Sequence, residues 1–289
     1  MSTQRQTFER EYRVGKLLEK GGFGSVFWGV RIRDGLSVAI KHILKEKIVD
    51  WATIEGERLP MEVCALRKVS EIPGCIKILD YYECDDCCLI VMEKPDPVMD
   101  LFDYIDEQRT LSETLAREFF IQIVETCLQC YAAGIVHRDI KDENILVDLK
   151  SHSLKLIDFR TATLLKDDLY YDFNGTRICA PPEWIQLGCY HGKRAVVWSL
   201  GVLLYVMLCG EWPFKKDDEI VTAEVDLCPR LSSECRDLLR KCLCVQPADR
   251  PSLEDILRHP WVTEDKDSFR EDKPVPRPCR LCKRSAALE

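Results

Sequence analysis

The sequence lacks the features of a membrane protein, a secreted protein or a nucleic-acid binder. It has no continuous apolar run that predicts a membrane span, and its N-terminus, MSTQRQTFEREYRVG, has no apolar signal-peptide core. Basic residues are outnumbered by acidic ones, 41 to 49, so the net charge is −8. No internal repeat is evident. We therefore expect a globular cytoplasmic protein with no nucleic-acid partner and no membrane partner.

Cysteine, by contrast, is abundant, with sixteen residues. Without a signal peptide the chain is expected in a reducing compartment, where these side chains remain thiols. Two C-x-x-C pairs, Cys84/Cys87 and Cys279/Cys282, have the spacing of zinc ligands. Zinc needs four ligands, and nothing in the sequence brings the two pairs together. A cysteine-based metal or redox module is therefore the least favoured function.

Alternating apolar and polar residues predict strands in the first third of the chain. YRVGKLLEK and GSVFWGVRI alternate, and the Asp-Gly pair in residues 33–35 predicts a hairpin turn into a third strand, LSVAIKHI. A helical pattern, PMEVCALRKVSEI, starts after Pro60, and two more strands follow it on either side of CDDC. The first third is thus predicted to be a sheet with one helix.

Beyond residue 100 the patterns are mostly helical. LSETLAREFFIQIVETCLQCYAAG has apolar residues at helical spacing and stops at Gly134. RAVVWSLGVLLYVMLCG is apolar on all sides, which predicts a buried central helix. Two later helices begin at serines, which are common N-caps. The C-terminal tail, residues 263–289, is charged and contains prolines, as flexible segments do.

Two segments of the first third could hold the phosphates of a nucleotide. GGFGSV, residues 21–26, lies between two strands, where glycines let the backbone fold closely over phosphates. VAIK places Lys41 on the third strand, pointing toward the same space. Each signal is weak alone, because a plain turn and a solvated strand lysine would look similar.

Two segments of the helical part complete a set suited to phosphoryl transfer. HRDIKDEN, residues 137–144, spaces Asp139, Lys141 and Asn144 on one loop, and LIDF adds Asp158. Asp139 can accept the proton of an incoming hydroxyl, and Lys141 can neutralise charge on the transferred group. Asn144 and Asp158 can bind magnesium. Phosphoryl transfer needs such a set and little covalent chemistry.

With these segments, the chain over residues 12–262 resembles a eukaryotic protein kinase, and more closely the Pim family of serine/threonine kinases. The closer likeness rests on GGFGSVFWGVRI, LPMEV, EKPDPVMDLFDYI, HRDIKDENILVDL, DFNGTRI, PPEW, VWSLGVLLY and ADRPS. It implies an α+β, two-lobed protein kinase fold, with a small β-rich N-lobe carrying one main helix and a larger, mostly helical C-lobe. ATP and Mg²⁺ would bind between the lobes of a monomer located in the cytoplasm or also in the nucleus. The implied divisions are an N-terminal extension (1–11), an N-lobe (12–93), a hinge (94–99), a C-lobe (100–262) and a flexible tail (263–289).

The resemblance also implies roles for individual residues. Glu62 would be the helix partner of Lys41 in the catalytic set, and Glu183 would pair with Arg250 to anchor the activation segment. Lys141 follows its aspartate by two residues, which is similar to serine/threonine rather than tyrosine kinases. The nucleotide would contact Gly21, Gly22, Phe23, Gly24, Val26, Ala39, Lys41, Glu93 and Pro95.

Two of these regions can also be judged on physical grounds. Pro95 falls where the hinge normally offers an N–H group to adenine; proline has none, so one hydrogen bond must be absent. Asp172 falls where many kinases need a phosphorylated residue. It could pair with Arg138 unmodified, giving activity without phosphorylation, or it could simply face solvent.

Acidic residues suggest protein substrates with arginine or lysine near the target hydroxyl. Asp100 and Asp103 are three residues apart at the start of a helix and share a face, Asp142 and Glu143 lie in the catalytic loop, and Glu211 lies nearby in the motif order. Such carboxylates could bind basic side chains N-terminal to the target hydroxyl. An ordinary acidic helix face is the alternative, and it is the resemblance to the Pim family that favours the substrate-binding interpretation.

Two positions depart from the kinase pattern. Glu19 stands at the first glycine of the loop, which predicts weaker ATP binding. Arg160 replaces the glycine of the metal-binding segment, where glycine allows backbone conformations closed to other residues. Its guanidinium could turn to solvent or an acidic partner, or it could pair with Asp158 or Glu62 and compete with magnesium or with Lys41. The main hypothesis is thus a serine/threonine kinase, and the alternative is a pseudokinase acting as a binding or regulatory module.

Overall fold

The structure is a computed structural model that describes residues 3–54 and 56–263. The predicted tail, with Cys279 and Cys282, lies outside the described residues apart from its first position. The first part of the fold contains α1 (Thr3–Glu11), β1 (Tyr12–Lys20), β2 (Ser25–Arg31), β3 (Ser37–Leu44), β4 (Trp51–Ile54), β5 (Glu57–Pro60), α2 (Met61–Lys68), β6 (Ile78–Glu83) and β7 (Cys87–Glu93).

The second part is mostly helical, so the α+β division into a β-rich N-lobe and a helical C-lobe is confirmed. Its elements are β8 (Val98–Asp100), α3 (Leu101–Gln108), α4 (Glu113–Ala132), β9 (Ile135–Val136), β10 (Ile145–Asp148), β11 (Leu154–Leu156), β12 (Thr163–Leu164), α5 (Pro182–Leu187), α6 (Gly192–Cys209), α7 (Asp217–Thr222), α8 (Ser233–Cys242), α9 (Leu253–Leu257) and α10 (Pro260–Thr263).

A five-stranded antiparallel sheet in the order β1-β2-β3-β7-β6 forms the N-lobe. Alternation along β3 sends Val38 and Ile40 to one face, where they join the cluster around Phe8 of α1. It sends Ile43 to the other face, where it joins the cluster that contains Val63 of α2. Lys41 has the same parity as Ile43, so the strand pattern itself turns this lysine toward α2.

The N-terminal extension is an integral part of the N-lobe. Phe8 of α1 is buried, its ring lies 5.8 Å from that of Tyr12 and 5.3 Å from that of Tyr82, and the Tyr82 hydroxyl donates to Glu11 Oε2 at 2.6 Å. Sequence periodicity did not reveal this helix. Because only one of its nine residues is buried, α1 carries almost no apolar stripe for a pattern to show.

The described helix α2 is shorter than the predicted pattern, and a hairpin that was not predicted precedes it. α2 ends at Lys68, and Val69 caps it with an N–H bonded to the Ala65 carbonyl. The hairpin β4–β5 pairs Trp51 with Pro60, and the Arg58 guanidinium lies 4.8 Å from the centre of the Trp51 ring. These strands have only four residues each, which is too short for alternation to be recognised.

The C-lobe packs around α4 and α6. Of the described helices, α6 alone is long and apolar enough by composition to span a membrane, and it is buried among the other helices as predicted. The serine caps are also confirmed: Ser232 Oγ accepts from the Cys235 N–H, and Ser252 forms a capping box with Asp255. Gly134 follows α4 with a φ of 74°, as the predicted stop requires.

Short strands of the C-lobe position the loops that face the N-lobe. β10 pairs with β11 on one side and with β8 on the other. Residues 98–99 of the predicted hinge are therefore part of a C-lobe sheet, and residues 94–97 make the connection between the lobes. The HRDIKDEN loop runs between β9 and β10, and LIDF follows β11, so both reach the same edge beneath the N-lobe sheet.

Candidate active site

Lys41 joins the N-lobe sheet, the helix α2 and the segment after β11. Its Nζ lies 2.5 Å from Glu62 Oε1 and 2.8 Å from Asp158 Oδ1. The pairing of Lys41 with Glu62 that the family resemblance implied is therefore present. An ammonium held by two carboxylates is fixed in position, as a group that must meet a phosphate oxygen should be.

Burial and charge act against each other on these three groups. Burial raises the pKa of Glu62, although the charge of Lys41 opposes it. Burial would also raise the pKa of Asp158, but the charges of Lys41 and Arg160 outweigh it and lower that pKa to about 2. Burial would lower the pKa of Lys41, and the charges of Glu62 and Asp158 raise it instead. The ammonium and the Asp158 carboxylate are therefore ionised at neutral pH.

Asp139 is buried and held through both of its carboxylate oxygens. Oδ1 accepts from the Thr176 N–H at 2.8 Å, and Oδ2 accepts from Asn144 Nδ2 at 3.0 Å. Lys141 donates to Glu143 on the same loop, and the charge of Asp139 raises the pKa of Lys141 despite partial burial. The loop thus presents an oriented carboxylate beside a charged ammonium.

Asn144 and Asp158 suit a magnesium ion by the chemistry of their donors. The Asn144 amide nitrogen is engaged with Asp139, and among the described residues no donor contacts its Oδ1. Asp158 keeps an ionised carboxylate. An amide oxygen and a carboxylate are the hard oxygen ligands that Mg²⁺ prefers. The two residues predicted as metal ligands therefore fit that ion.

The glycine-rich loop forms a tight turn between β1 and β2. The Gly21 N–H donates to the Gly24 carbonyl at 3.0 Å, and a Cβ at Gly24 would lie 2.6 Å from the His42 carbonyl oxygen. Lys47 Nζ donates to the Gly22 carbonyl at 2.7 Å, a contact that no sequence pattern indicated. Glu19 is exposed and lies opposite Val26 in the register of β1 and β2.

The backbone at Arg160 does not require glycine. Residues Phe159–Thr161 form a 3₁₀ turn, and Arg160 is not among the described non-glycine residues with positive φ, whereas Asp158 is, at 57°. Phe159 is buried with its ring 4.8 Å from that of His137. A bulky residue at position 160 is thus compatible with an Asp158 carboxylate turned toward Lys41.

Of the arrangements predicted for the Arg160 side chain, the structure has the one that pairs it with Asp158. The side chain also makes a contact that was not predicted. Its Nε lies 3.5 Å from Asp158 Oδ2, on the opposite carboxylate oxygen from Lys41. Its Cζ lies 4.4 Å from the centre of the Phe23 ring at the tip of the glycine-rich loop. Glu62 keeps its bond to Lys41. Arg160 therefore pairs with Asp158 without displacing the lysine.

The activation segment is held by two ion pairs. Arg138 Nη1 donates to Asp172 Oδ2 at 2.6 Å, so of the two possibilities left open by the sequence, Asp172 takes the one that engages Arg138. Arg250 makes a double hydrogen bond to Glu183, at 2.9 and 2.7 Å, and its side chain is fully buried. The pairing of Glu183 with Arg250 implied by the resemblance is thus present.

Glu93 at the end of β7 and Pro95 in the hinge have defined positions. The Glu93 carboxylate accepts from the Lys77 N–H at 2.9 Å and lies 2.7 Å from Lys155 Nζ, so this side chain links the two lobes. Pro95 follows in the connection between the lobes. As predicted from proline chemistry, it has no N–H to offer.

The acidic residues predicted to bind substrate occupy different environments. Asp100 is the N-cap of α3, and its Oδ1 accepts from the Asp103 N–H at 2.7 Å. Asp142 is almost fully buried, and burial raises its pKa to about 6. Glu143 is the exposed carboxylate of the loop. The buried position of Asp142 leaves Glu143 as the carboxylate of this pair that solvent and a substrate can reach.

The cysteine pair Cys84/Cys87 flanks the β6–β7 turn, where both side chains are buried. Within residues 3–54 and 56–263, no group of three or more His, Cys, Asp or Glu side chains is arranged to hold a metal ion. The described residues therefore offer no further ligand that would complete a zinc site at this pair.

Comparison with known proteins agrees with this geometry. The family model "Protein kinase domain" matches residues 12–262. The chain is 46% identical over 284 residues to the serine/threonine-protein kinase pim-2 of Danio rerio, covering 94% of this chain and 92% of that protein. It is 46% identical over 267 residues to the serine/threonine-protein kinase prk-2 of Caenorhabditis elegans, covering 91% of this chain and 60% of that protein. The chain therefore belongs to the protein kinase family, and the resemblance to the Pim family predicted from its motifs is confirmed.

Proposed function

We propose that this protein is an ATP- and Mg²⁺-dependent serine/threonine protein kinase. The observation that carries the proposal is the joined set of Lys41, Glu62 and Asp158, with Asp139 and Asn144 at the same edge. A buried lysine held between two carboxylates, beside an Asp139 carboxylate held by two hydrogen bonds, is the arrangement that phosphoryl transfer needs. The two relatives at 46% identity are serine/threonine-protein kinases, which supports the same interpretation.

The reaction assigns one task to each group. Asp139 orients the substrate hydroxyl and accepts its proton as the oxygen attacks the γ-phosphorus of ATP and the bond to the bridging oxygen of ADP breaks. Lys41 meets the phosphate oxygens and Lys141 meets the transferred group. Magnesium bound by Asn144 and Asp158 would neutralise charge on the β- and γ-phosphates.

The pairing of Arg138 with Asp172 supports activity without phosphorylation of the activation segment. A carboxylate 2.6 Å from the guanidinium supplies the negative charge that a phosphate would otherwise bring. In the same proposal, Glu143 together with Asp100, Asp103 and Glu211 favours substrates with arginine or lysine near the target hydroxyl. The enzyme would act as a monomer in the cytoplasm or also in the nucleus.

A transfer assay tests the proposal. We expect γ-phosphate transfer to an arginine-rich serine peptide by the wild-type protein, and a loss of at least about 100-fold in Asp139→Asn, because general-base and orienting groups contribute about 10²–10⁴-fold. Asp85→Asn, an exposed change in the β6–β7 turn, is the matched control and should retain activity. Transfer by the wild type no greater than that of Asp139→Asn would leave the pseudokinase alternative, a binding or regulatory module.

A further inference from the structure

Arg160 differs from the other cations of the cleft in its partners. Lys41 is hydrogen-bonded to two carboxylates, and Lys141 is hydrogen-bonded to Glu143. The charge contact of Arg160 with Asp158 is longer, at 3.5 Å, and its Nε is buried with no hydrogen-bond acceptor among the described residues. A buried N–H donor without an acceptor lowers the stability of the protein unless a ligand satisfies it.

The Arg160 guanidinium also bridges the two parts of the cleft that would enclose the phosphates of a bound nucleotide. At one end it contacts Asp158, a predicted magnesium ligand, and at the other it lies over Phe23 at the tip of the glycine-rich loop, 4.4 Å from the ring centre. A loop of this kind covers the phosphates, and the metal-binding aspartate lies beneath them. A cation held between the two therefore lies beside the space that the β- and γ-phosphates would occupy.

The contact with Phe23 explains how a long side chain is kept there. A guanidinium over an aromatic ring is favoured by the attraction between its positive charge and the negative face of the ring. The 3₁₀ turn at Phe159–Thr161 accommodates Arg160 without positive φ. The side chain is thus held between Asp158 and Phe23, and its Nε has no hydrogen-bond acceptor among the described residues.

We propose that Arg160 is a phosphate-binding residue of the nucleotide site and that it lets this protein bind nucleotide with a reduced need for magnesium. The inference rests on the proposed function, since it assumes that the cleft takes ATP. Arg160 offers a planar set of N–H donors that matches phosphate oxygens. It supplies, from the chain itself, part of the positive charge that the metal ion supplies in the complex. Arg160 acts on binding of the phosphates and not on the proton transfer at Asp139.

An equilibrium binding experiment tests this proposal without phosphoryl transfer. The affinity for the non-transferable analogue adenylyl imidodiphosphate is measured by calorimetry in Mg²⁺ and in EDTA, and adenosine, which has no phosphates, is measured alongside. The variants are Arg160→Gly, which installs the usual glycine, and Arg160→Gln, which removes the charge but keeps a similar length and ordinary backbone preferences. Thermal denaturation of each variant verifies that it is folded.

The expected result is specific to phosphates and to the absence of metal. In EDTA, both variants should bind the analogue at least about tenfold more weakly than the wild type, since a charge-assisted hydrogen bond to phosphate is lost. In Mg²⁺ the difference should be much smaller, and adenosine should bind all three proteins equally. Phe23→Leu should shift the analogue's affinity in EDTA in the same direction but less, because Arg160 remains and only its stacking is lost.

Other results overturn the inference. Equal affinities of wild type and variants for the analogue in EDTA would show that Arg160 makes no phosphate contact, and tighter binding by the variants would show that it obstructs the site. A wild type that binds neither adenosine nor the analogue would defeat both this inference and the kinase assignment. If the EDTA difference is found but no transfer exceeds that of Asp139→Asn, the proposed function fails while the role of Arg160 stands.

Discussion

Replacing Asp172 by asparagine should lower peptide phosphorylation without unfolding the protein. The carboxylate lies 2.6 Å from Arg138 Nη1, and the Arg138 side chain is only 3% exposed, so the guanidinium would lose its charged partner inside the protein. Asparagine keeps the size and one oxygen acceptor. The change therefore removes the charge and little else.

The size of the effect follows from the burial of the two partners. A hydrogen bond between charged groups is worth about 1.5–3 kcal/mol when buried, and an exposed ion pair about 0–1 kcal/mol. Asp172 is 56% exposed, so solvent screens the pair, and Arg138 Nε keeps its bond to the Thr161 carbonyl at 2.7 Å. We expect a loss of about 1–2 kcal/mol in ordering the activation segment, which corresponds to about a 5- to 30-fold fall in kcat/KM.

The assay compares kcat/KM for an arginine-rich peptide in wild type, Asp172→Asn and Asp167→Asn. Asp167 is the matched control because it lies in the same segment but is 98% exposed, with Lys193 3.5 Å away. We expect it to change kcat/KM by no more than about twofold. Phosphatase treatment of the wild type should leave its activity unchanged. Full activity of Asp172→Asn, or loss of wild-type activity after phosphatase, would refute the reasoning.

Three further changes have expected outcomes. Glu62→Gln should lower kcat/KM by about 10-fold or more, because Lys41 loses one of the two carboxylates that fix it. Glu183→Gln should lower the free energy of unfolding by about 3–5 kcal/mol in urea, since the buried Arg250 would be left without its counter-charge. Asp142→Asn should stabilise the protein at neutral pH by at most about 3 kcal/mol, because burial raises the pKa of this carboxyl to about 6.

The pH dependence of the stability change in Asp142→Asn follows from the number of protons bound by the folded and the unfolded protein. Its folded pKa lies above the ordinary value of 3.8, so between about pH 4 and 6 the folded protein holds a proton that the unfolded chain has released. Stability contributed by the protonated group is therefore lost as the pH rises through that range. The advantage of Asp142→Asn should be present at pH 7 and absent below about pH 4. An advantage that does not change with pH would contradict the assignment.

Matched control variants test whether the effects of Glu62→Gln and Glu183→Gln come from the loss of those specific ion pairs. Glu57→Gln removes the partner of Arg67, but this pair is half-exposed, so its change in unfolding free energy should be far smaller than that of Glu183→Gln. Glu71→Gln affects an exposed pair with Lys77, and its kcat/KM should equal that of the wild type. If Glu62→Gln kept full kcat/KM, the pairing with Lys41 would have no part in catalysis.

Local sequence patterns predicted the strands and helices that have regular apolar spacing or a characteristic capping residue. Alternation along β3 put Lys41 on the face that meets α2, and serine caps and Gly134 marked helix ends correctly. Elements without a strong pattern were missed. The helix α1 buries one residue of nine, and the strands β4 and β5 are four residues long.

The fate of single charged side chains could not be predicted in the same way. Asp142 and Glu143 are neighbours in the sequence, yet one is buried with a raised pKa and the other is exposed. Whether a carboxylate is solvated depends on which distant parts of the chain pack over it. The neighbouring residues in the sequence do not predict that packing. The contact of Lys47 with the glycine-rich loop was missed for the same reason.

The sequence by itself determined the family, the phosphoryl-transfer set and the two departures from the kinase pattern, because each depends on residue identity and spacing along the chain. Only the tertiary structure decided what Asp172 and Arg160 do. Asp172 reaches Arg138 across 34 residues, and Arg160 lies between Asp158 and Phe23, which belong to different lobes. Charge and side-chain length permit several partners, and the packing of the two lobes selects among them.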